Sequence, residues 1–333
     1  EFRCNSSDFS AVKNNEGQIQ QSGAAIGTDA TTKTTVLQIK QVQRGEIENT
    51  FGTGATVWPA SLVLVKYLEH CILTKRHDED SSGGILNYLS NNNPNITIAD
   101  LGSGTGVTSI ATAFFLGMYE NTDEIKDLKE HQDQGCQDGP FIVCTDGCDS
   151  VVDLARENIE NTVKNANTTF SGRNIKLETN QTETTASDNI YQIGRSRIKV
   201  RKYLWGDGTL LKELKLYNKS TATDTIADSN EELTENNRVV YDIILVSDCV
   251  LPKLYPIEPL VDAINELSGP QTMTYISYEY RYYSEYDPKE FFISLAMKRG
   301  LEVKTVGIEE QHPIYSVDDI EIWEVRRKKT EKE

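Results

Sequence analysis

The chain has 333 residues, 38% of them apolar and 26% charged, and its 51 Asp and Glu against 34 Lys and Arg give a net charge of −17. This suits one large globular domain or two small ones. It leaves no basic stripe to neutralise phosphates, which argues against a nucleic-acid-binding surface. No run of about 18 apolar residues occurs, so no membrane-spanning helix is expected.

Residues 1–34 are rich in Gln, Asn, Ser, Thr, Gly and Ala without an apolar period, and read as a disordered tail. The first residues also lack the charged-then-apolar pattern of a signal peptide. Residues 35–48 alternate weakly, as a short strand or hairpin does. Pro59 suits the first turn of a helix over 59–73, where Leu62, Val65, Leu68 and Ile72 follow helical spacing. Residues 96–100 form a short buried strand that runs into a glycine-rich loop, and a helix starts at Val107. A polar insertion near 120–139 carries an acidic excess. Residues 141–146 predict the second strand. Residues 149–164 predict a helix capped at Asp149 or Ser150, with Val152, Ala155, Ile159 and Val163 facing inward. A polar stretch over 165–190 precedes a third strand at 198–205.

A further acidic insertion near 218–237 leads to the fourth strand, 241–248. A helix follows to Leu267 from Pro256 or Glu258, then the fifth strand at 271–278. A helix over 288–299 stops at Gly300. Two last strands lie at 301–307 and 320–326. Such alternation builds a doubly wound, seven-stranded, mainly parallel α/β sheet. The last two strands have no helix between them, so one must be antiparallel. We expect a single domain over 35–328. Six cysteines are scattered without C-x-x-C or metal-ligand spacing, so no metal site is expected and the thiols read as buried and reduced.

The first strand ends in Asp100-Leu101-Gly102-Ser103-Gly104-Thr105-Gly106 and opens a helix. Glycines let the backbone turn tightly and approach a ligand, and the helix start offers free N–H groups. A dinucleotide fingerprint needs a third glycine where this chain has Val107. Asp100 also suits a cationic amino-acid portion and repels a pyrophosphate. The reading is S-adenosylmethionine, with NAD as the alternative. Asp146, followed by Gly147, ends the second strand, where an acid accepts ribose hydroxyls. Trp205 ends the third strand and can cover an adenine face. Ser247 and Asp248 end the fourth, at the carboxyl edge where such sheets bind ligands.

Together these residues resemble a known family. The segment Thr53-Gly54-Ala55-Thr56-Val57-Trp58-Pro59, the glycine loop, Leu204-Trp205-Gly206 and Leu245-Val246-Ser247-Asp248 are similar to methyltransferase family 16. This is a lysine methyltransferase group that includes the methyltransferase-like 21 proteins. The resemblance implies a Rossmann-like class I methyltransferase fold. It places Trp58 near the cofactor and matches Glu279-Tyr280-Arg281 to a Glu-x-Arg that organises the substrate side. The family's Asp-x-x-Tyr (or Phe) maps onto Asp248 to Leu251, so the aromatic is replaced and Tyr255 stands four residues on.

The expected activity is methylation of a lysine side chain of a protein. Asp248 orients the amine, and Tyr255, Tyr278 and Tyr282 are candidates for a wall that excludes water. The resemblance implies a chaperone or translation factor as the protein substrate. A monomer is expected, without nucleic-acid or membrane partners, in the cytoplasm, with the nucleus also open to it. Another acceptor (a histidine, a protein N-terminus or a small amine) and a non-catalytic cofactor-binding scaffold remain as alternatives.

Overall fold

The computed structural model describes residues 37–42, 52–73, 96–119, 139–169, 189–209, 211, 240–252 and 254–328. The expected tail, the insertion near 218–237, residues 120–138 of the first insertion and 170–188 of the stretch over 165–190 lie outside the described residues. The elements in chain order are α1 (Pro59–Leu73), β1 (Thr97–Leu101), α2 (Val107–Tyr119), β2 (Phe141–Asp146), α3 (Asp149–Thr169), β3 (Ile190–Ile193), β4 (Ser196–Lys202), β5 (Tyr241–Ser247), α4 (Ile257–Leu267), β6 (Ser268–Glu279), α5 (Pro288–Lys298), β7 (Leu301–Thr305) and β8 (Ile320–Arg327).

The strands form one sheet in the order β3-β4-β2-β1-β5-β6-β8-β7. Pairs among β4, β2, β1, β5 and β6 are parallel. Strand β8 runs antiparallel to both β6 and β7, as the missing crossover helix requires. The central strands are apolar on both faces because helices cover both. Ile98, Ile142 and Leu245 pack with α1, α2 and α3. Their neighbours Ala99, Val143 and Val246 pack with α4 and α5. Strand order reverses between the neighbours β1 and β5. There the connections leaving the carboxyl ends turn to opposite faces of the sheet and leave a crevice.

The sheet has one strand more than expected. Just past the stretch read as polar, Tyr191 and Ile193 are buried and β3 pairs antiparallel with β4. The turn is only Gly194-Arg195, with Gly194 at φ 61°, the geometry that suits a tight hairpin. Residues 37–42 form no strand. Leu37 and Ile39 are buried as the alternation predicts, but the backbone pairs with a side chain. Lys40 N–H donates to Asn158 Oδ1 at 2.8 Å, and Asn158 Nδ2 donates back to Lys40 O at 3.1 Å. Among the described residues, no helix is long and apolar enough to cross a membrane.

Candidate cofactor and acceptor site

The glycine loop sits at the crevice. Ser103 N–H donates to Thr145 O at 2.8 Å, which ties the loop to β2, and Gly106 O accepts from Ile110 N–H at 3.0 Å as α2 begins. Gly102 and Gly104 have φ of 71° and 56°, a region costly for other residues. A Cβ on Gly102 would lie 2.7 Å from Cys249 Sγ, and one on Gly104 would lie 2.8 Å from Gly54 O. Any side chain there would meet the walls of the site.

Two carboxyls flank the loop. Asp100 is fully buried, and its Oδ2 accepts from Ser109 Oγ at 2.7 Å while Oδ1 has no partner. Burial pushes its pKa up to about 7. Asp146 accepts from Gly104 N–H at 3.2 Å and from Cys148 N–H at 3.0 Å. Burial raises its pKa too, against the pull of those donors.

A small cleft opens beside the loop. Gly102, Ser103, Gly104 and Asp146 line one side; Ser247, Asp248, Leu251 and Tyr255 line another; Trp58, just before α1, lines it as well. Asp100, Gly106, Gly147 and Trp205 do not line it. Gly147 lies against Leu204, and the Trp205 ring packs behind Gly102. That ring is 5.9 Å from Tyr255, so it supports the wall from outside.

Across the cleft, Trp58 Nε1 donates to Thr53 O at 3.0 Å, and the Thr53 hydroxyl pairs with the Tyr255 hydroxyl. Tyr255 therefore stands in the wall although Leu251 occupies the position of the family aromatic. The other two wall candidates lie elsewhere. Tyr278 is buried and stacks on Trp323 at 4.8 Å, while Tyr282 projects into solvent.

Asp248 is the only non-glycine residue at positive φ among those described, at 55°. Its N–H donates to Ser277 O at 2.9 Å. Its carboxylate is not free. Arg281 grips both oxygens, Nη1 to Oδ1 at 2.8 Å and Nη2 to Oδ2 at 2.7 Å. The same Nη2 reaches Glu279 Oε2 at 2.9 Å, and the guanidinium stands 5.5 Å from the Trp58 ring.

Sequence reasoning missed Thr53, Cys249 and Ser109 as site residues. Thr53 and Tyr255 are 202 residues apart, and no local pattern links them. Cys249 reads as an ordinary buried thiol until its contact with Gly102 is seen. Ser109 carried a helical signal, one turn into α2 from the loop.

Fold and site together define an S-adenosylmethionine-dependent methyltransferase. The glycine cradle, which leaves no room for side chains, and Asp146 beside it suit that cofactor. Residues 33–190 match the model of methyltransferase family 16, described as lysine methyltransferase, the family that the motifs resemble. The match spans Trp58, the glycine loop and Asp146; the Asp248 and Arg281 side lies beyond it. No curated protein matches the chain. Among solved structures the chain is similar to a ribosomal protein L11 methylase from Lactobacillus delbrueckii subsp. bulgaricus, with 10% identity over 98% of this chain and 96% of that one and a TM-score of 0.43. It is also similar to an O-methyltransferase from Bacillus cereus in complex with S-adenosylhomocysteine, with 16% identity over 84% and 95% and a TM-score of 0.36.

Proposed function

We propose that the chain is a protein-lysine N-methyltransferase whose acceptor amine enters beside Asp248, Arg281 and Glu279. The observation that carries this is the charge of that trio. Two carboxylates and one guanidinium leave one negative charge at the edge of the cofactor cleft, where a lysine ammonium is attracted.

When bound, the cofactor supplies an electrophilic methyl group on a positively charged sulfur. The residues of the chain hold and prepare the amine. Asp248 Oδ1 accepts from Arg281 and, at 3.5 Å, from the Glu279 N–H, while Oδ2 accepts from Arg281 and keeps a lone-pair site for an N–H donor. Asp248 is thus a positioning acceptor with its orientation fixed by Arg281. A carboxylate alone would favour the charged amine. Trp58, Leu251 and Tyr255 oppose this by excluding water, which favours the neutral amine needed for attack. Tyr255 is not the base: its hydroxyl is engaged by Thr53, and burial raises its pKa well above the ordinary phenol value.

Leu251 favours a second reading, in which the wider pocket takes another amine such as a histidine or a small molecule. Transfer of a labelled methyl group into a cell lysate, followed by mass spectrometry, separates the two. Methyllysine on a protein is expected; label only on histidine or on small molecules overturns the lysine reading.

A further inference from the structure

We infer that residues 279–287 and 312–319 form a docking surface for a basic polypeptide segment with interspersed apolar side chains, which presents the acceptor lysine to the cleft. The inference rests on the protein-lysine reading and names the kind of substrate segment.

The two stretches are joined where β6 and β8 meet: Tyr280 N–H donates to Asp319 O at 2.7 Å. They present large apolar side chains to solvent, with Tyr282 81% exposed, Ile314 64% and Tyr280 56%. Grouped exposure of this kind marks a contact surface rather than ordinary surface. The surface adjoins the site, because Arg281 lies between Tyr280 and Tyr282 and grips Asp248 in the cleft.

Its charge selects the partner. The two stretches carry Glu279, Glu285, Asp287, Asp318 and Asp319 and only one Lys or Arg, Arg281, which pairs with Asp248 and Glu279. The pKa of Glu279 is raised by burial and further by the negative charges of Asp248 and Asp319, against the pull of Arg281. His312 adds no cation, since burial and the nearby Lys66 hold its pKa down at about 4. Phosphates would be repelled, whereas Lys and Arg side chains would be drawn in.

The platform is also held from behind. Lys66 Nζ stands 4.4 Å from the Tyr315 ring, the His312 ring lies tilted against Tyr315 at 4.7 Å, and His70 of α1 meets His312 at 5.7 Å. A surface fixed before binding loses less entropy when it binds.

The test uses the intact protein saturated with S-adenosylhomocysteine and a short fluorescent peptide with a central Lys flanked by Arg and Leu. A second peptide replaces each Arg with Glu. Fluorescence polarisation should detect the first peptide and not the second, with affinity falling as salt rises. The triple variant Glu285→Gln, Asp318→Asn, Asp319→Asn should weaken binding roughly tenfold, and Tyr282→Ser with Ile314→Ser should weaken it at low and high salt alike. Unchanged cofactor affinity shows that the variants are folded. Absent binding, equal binding of both peptides, or insensitivity to both variants overturns the docking surface. The lysine reading fails separately, if the peptide binds as expected while the lysate assay finds no methyllysine.

Discussion

Replacing Gly102 with Ala probes the packing of the cofactor loop most directly. The new methyl group meets two costs that the structure separates. At φ 71° an alanine carries the left-handed penalty, about 1–2 kcal/mol. Its Cβ would also lie 2.7 Å from Cys249 Sγ and 3.1 Å from Trp205 Cζ2, and overpacking of that kind costs about 1–3 kcal/mol. The expected loss of stability is therefore about 2–5 kcal/mol. Cys249→Ala in the same chain removes the closest contact and leaves the backbone term. The double variant should recover about 1 kcal/mol or more relative to the sum of the single changes, the coupling that a shared contact produces. Urea denaturation of the four proteins measures this cycle, and calorimetry with S-adenosylhomocysteine follows the site in parallel. Strict additivity, or a Gly102→Ala penalty under about 0.5 kcal/mol, would refute the packing account.

Further expectations concern the carboxyls. Asp100 has a native pKa of about 7 against an ordinary 3.8. Between those values the native state holds a proton that the unfolded chain has lost, so stability falls as pH rises from about 4 to 7, by an amount on the order of 4 kcal/mol. Asp146 and Asp242 shift in the same direction, so the measurement is the difference between parent and Asp100→Asn, whose curve should be flatter; identical curves would count against the buried-acid reading. Asp146→Ala removes an acceptor for two loop N–H groups and should weaken S-adenosylhomocysteine binding by about 2 kcal/mol in calorimetry, roughly thirtyfold. Asp248→Asn suits the left-handed backbone and should cut turnover at least tenfold, or about 1.4 kcal/mol, with cofactor affinity little changed. Turnover equal to the parent would falsify the positioning role. Arg281→Ala strands the buried Asp248 carboxylate and should cost about 3 kcal/mol in urea denaturation, the lower end for a broken buried pair because Arg281 is partly exposed.

Much of this was legible in the sequence for a simple reason. Strands covered on both faces are continuous apolar runs, such as Tyr241–Ser247, and the helices between them keep their period. The glycine loop, Asp146 and Asp248 were legible because a doubly wound sheet puts its site at strand ends. Strand β3 was hidden because four residues give too little alternation to stand out after a polar run. The paired backbone of residues 37–42 was read as a strand because the burial pattern is the same, while its partner, Asn158, is a side chain on α3. Tyr278 and Tyr282 could not be told apart by residue type. The pleat turns Tyr278 toward Trp323, and Tyr282 lies past the end of β6, where no partner strand or helix covers it. The Arg281 fork on Asp248 and the Thr53 contact with Tyr255 join distant segments, and only the assembled sheet brings them together.

The two margins of the sheet have a consequence for the behaviour of the chain at high concentration. Both outermost strands are short: β3 has four residues, and β7 has five, with Glu302 and Lys304 exposed. Open strand margins are templates on which a second molecule can add its own strand, and brevity and charge both discourage such growth. The small hairpin on β4 therefore works as a guard. It gives the long parallel strand β4 a partner from the same chain and offers neighbouring molecules only a stub, so its deletion should expose β4 and make the protein prone to self-association through that edge.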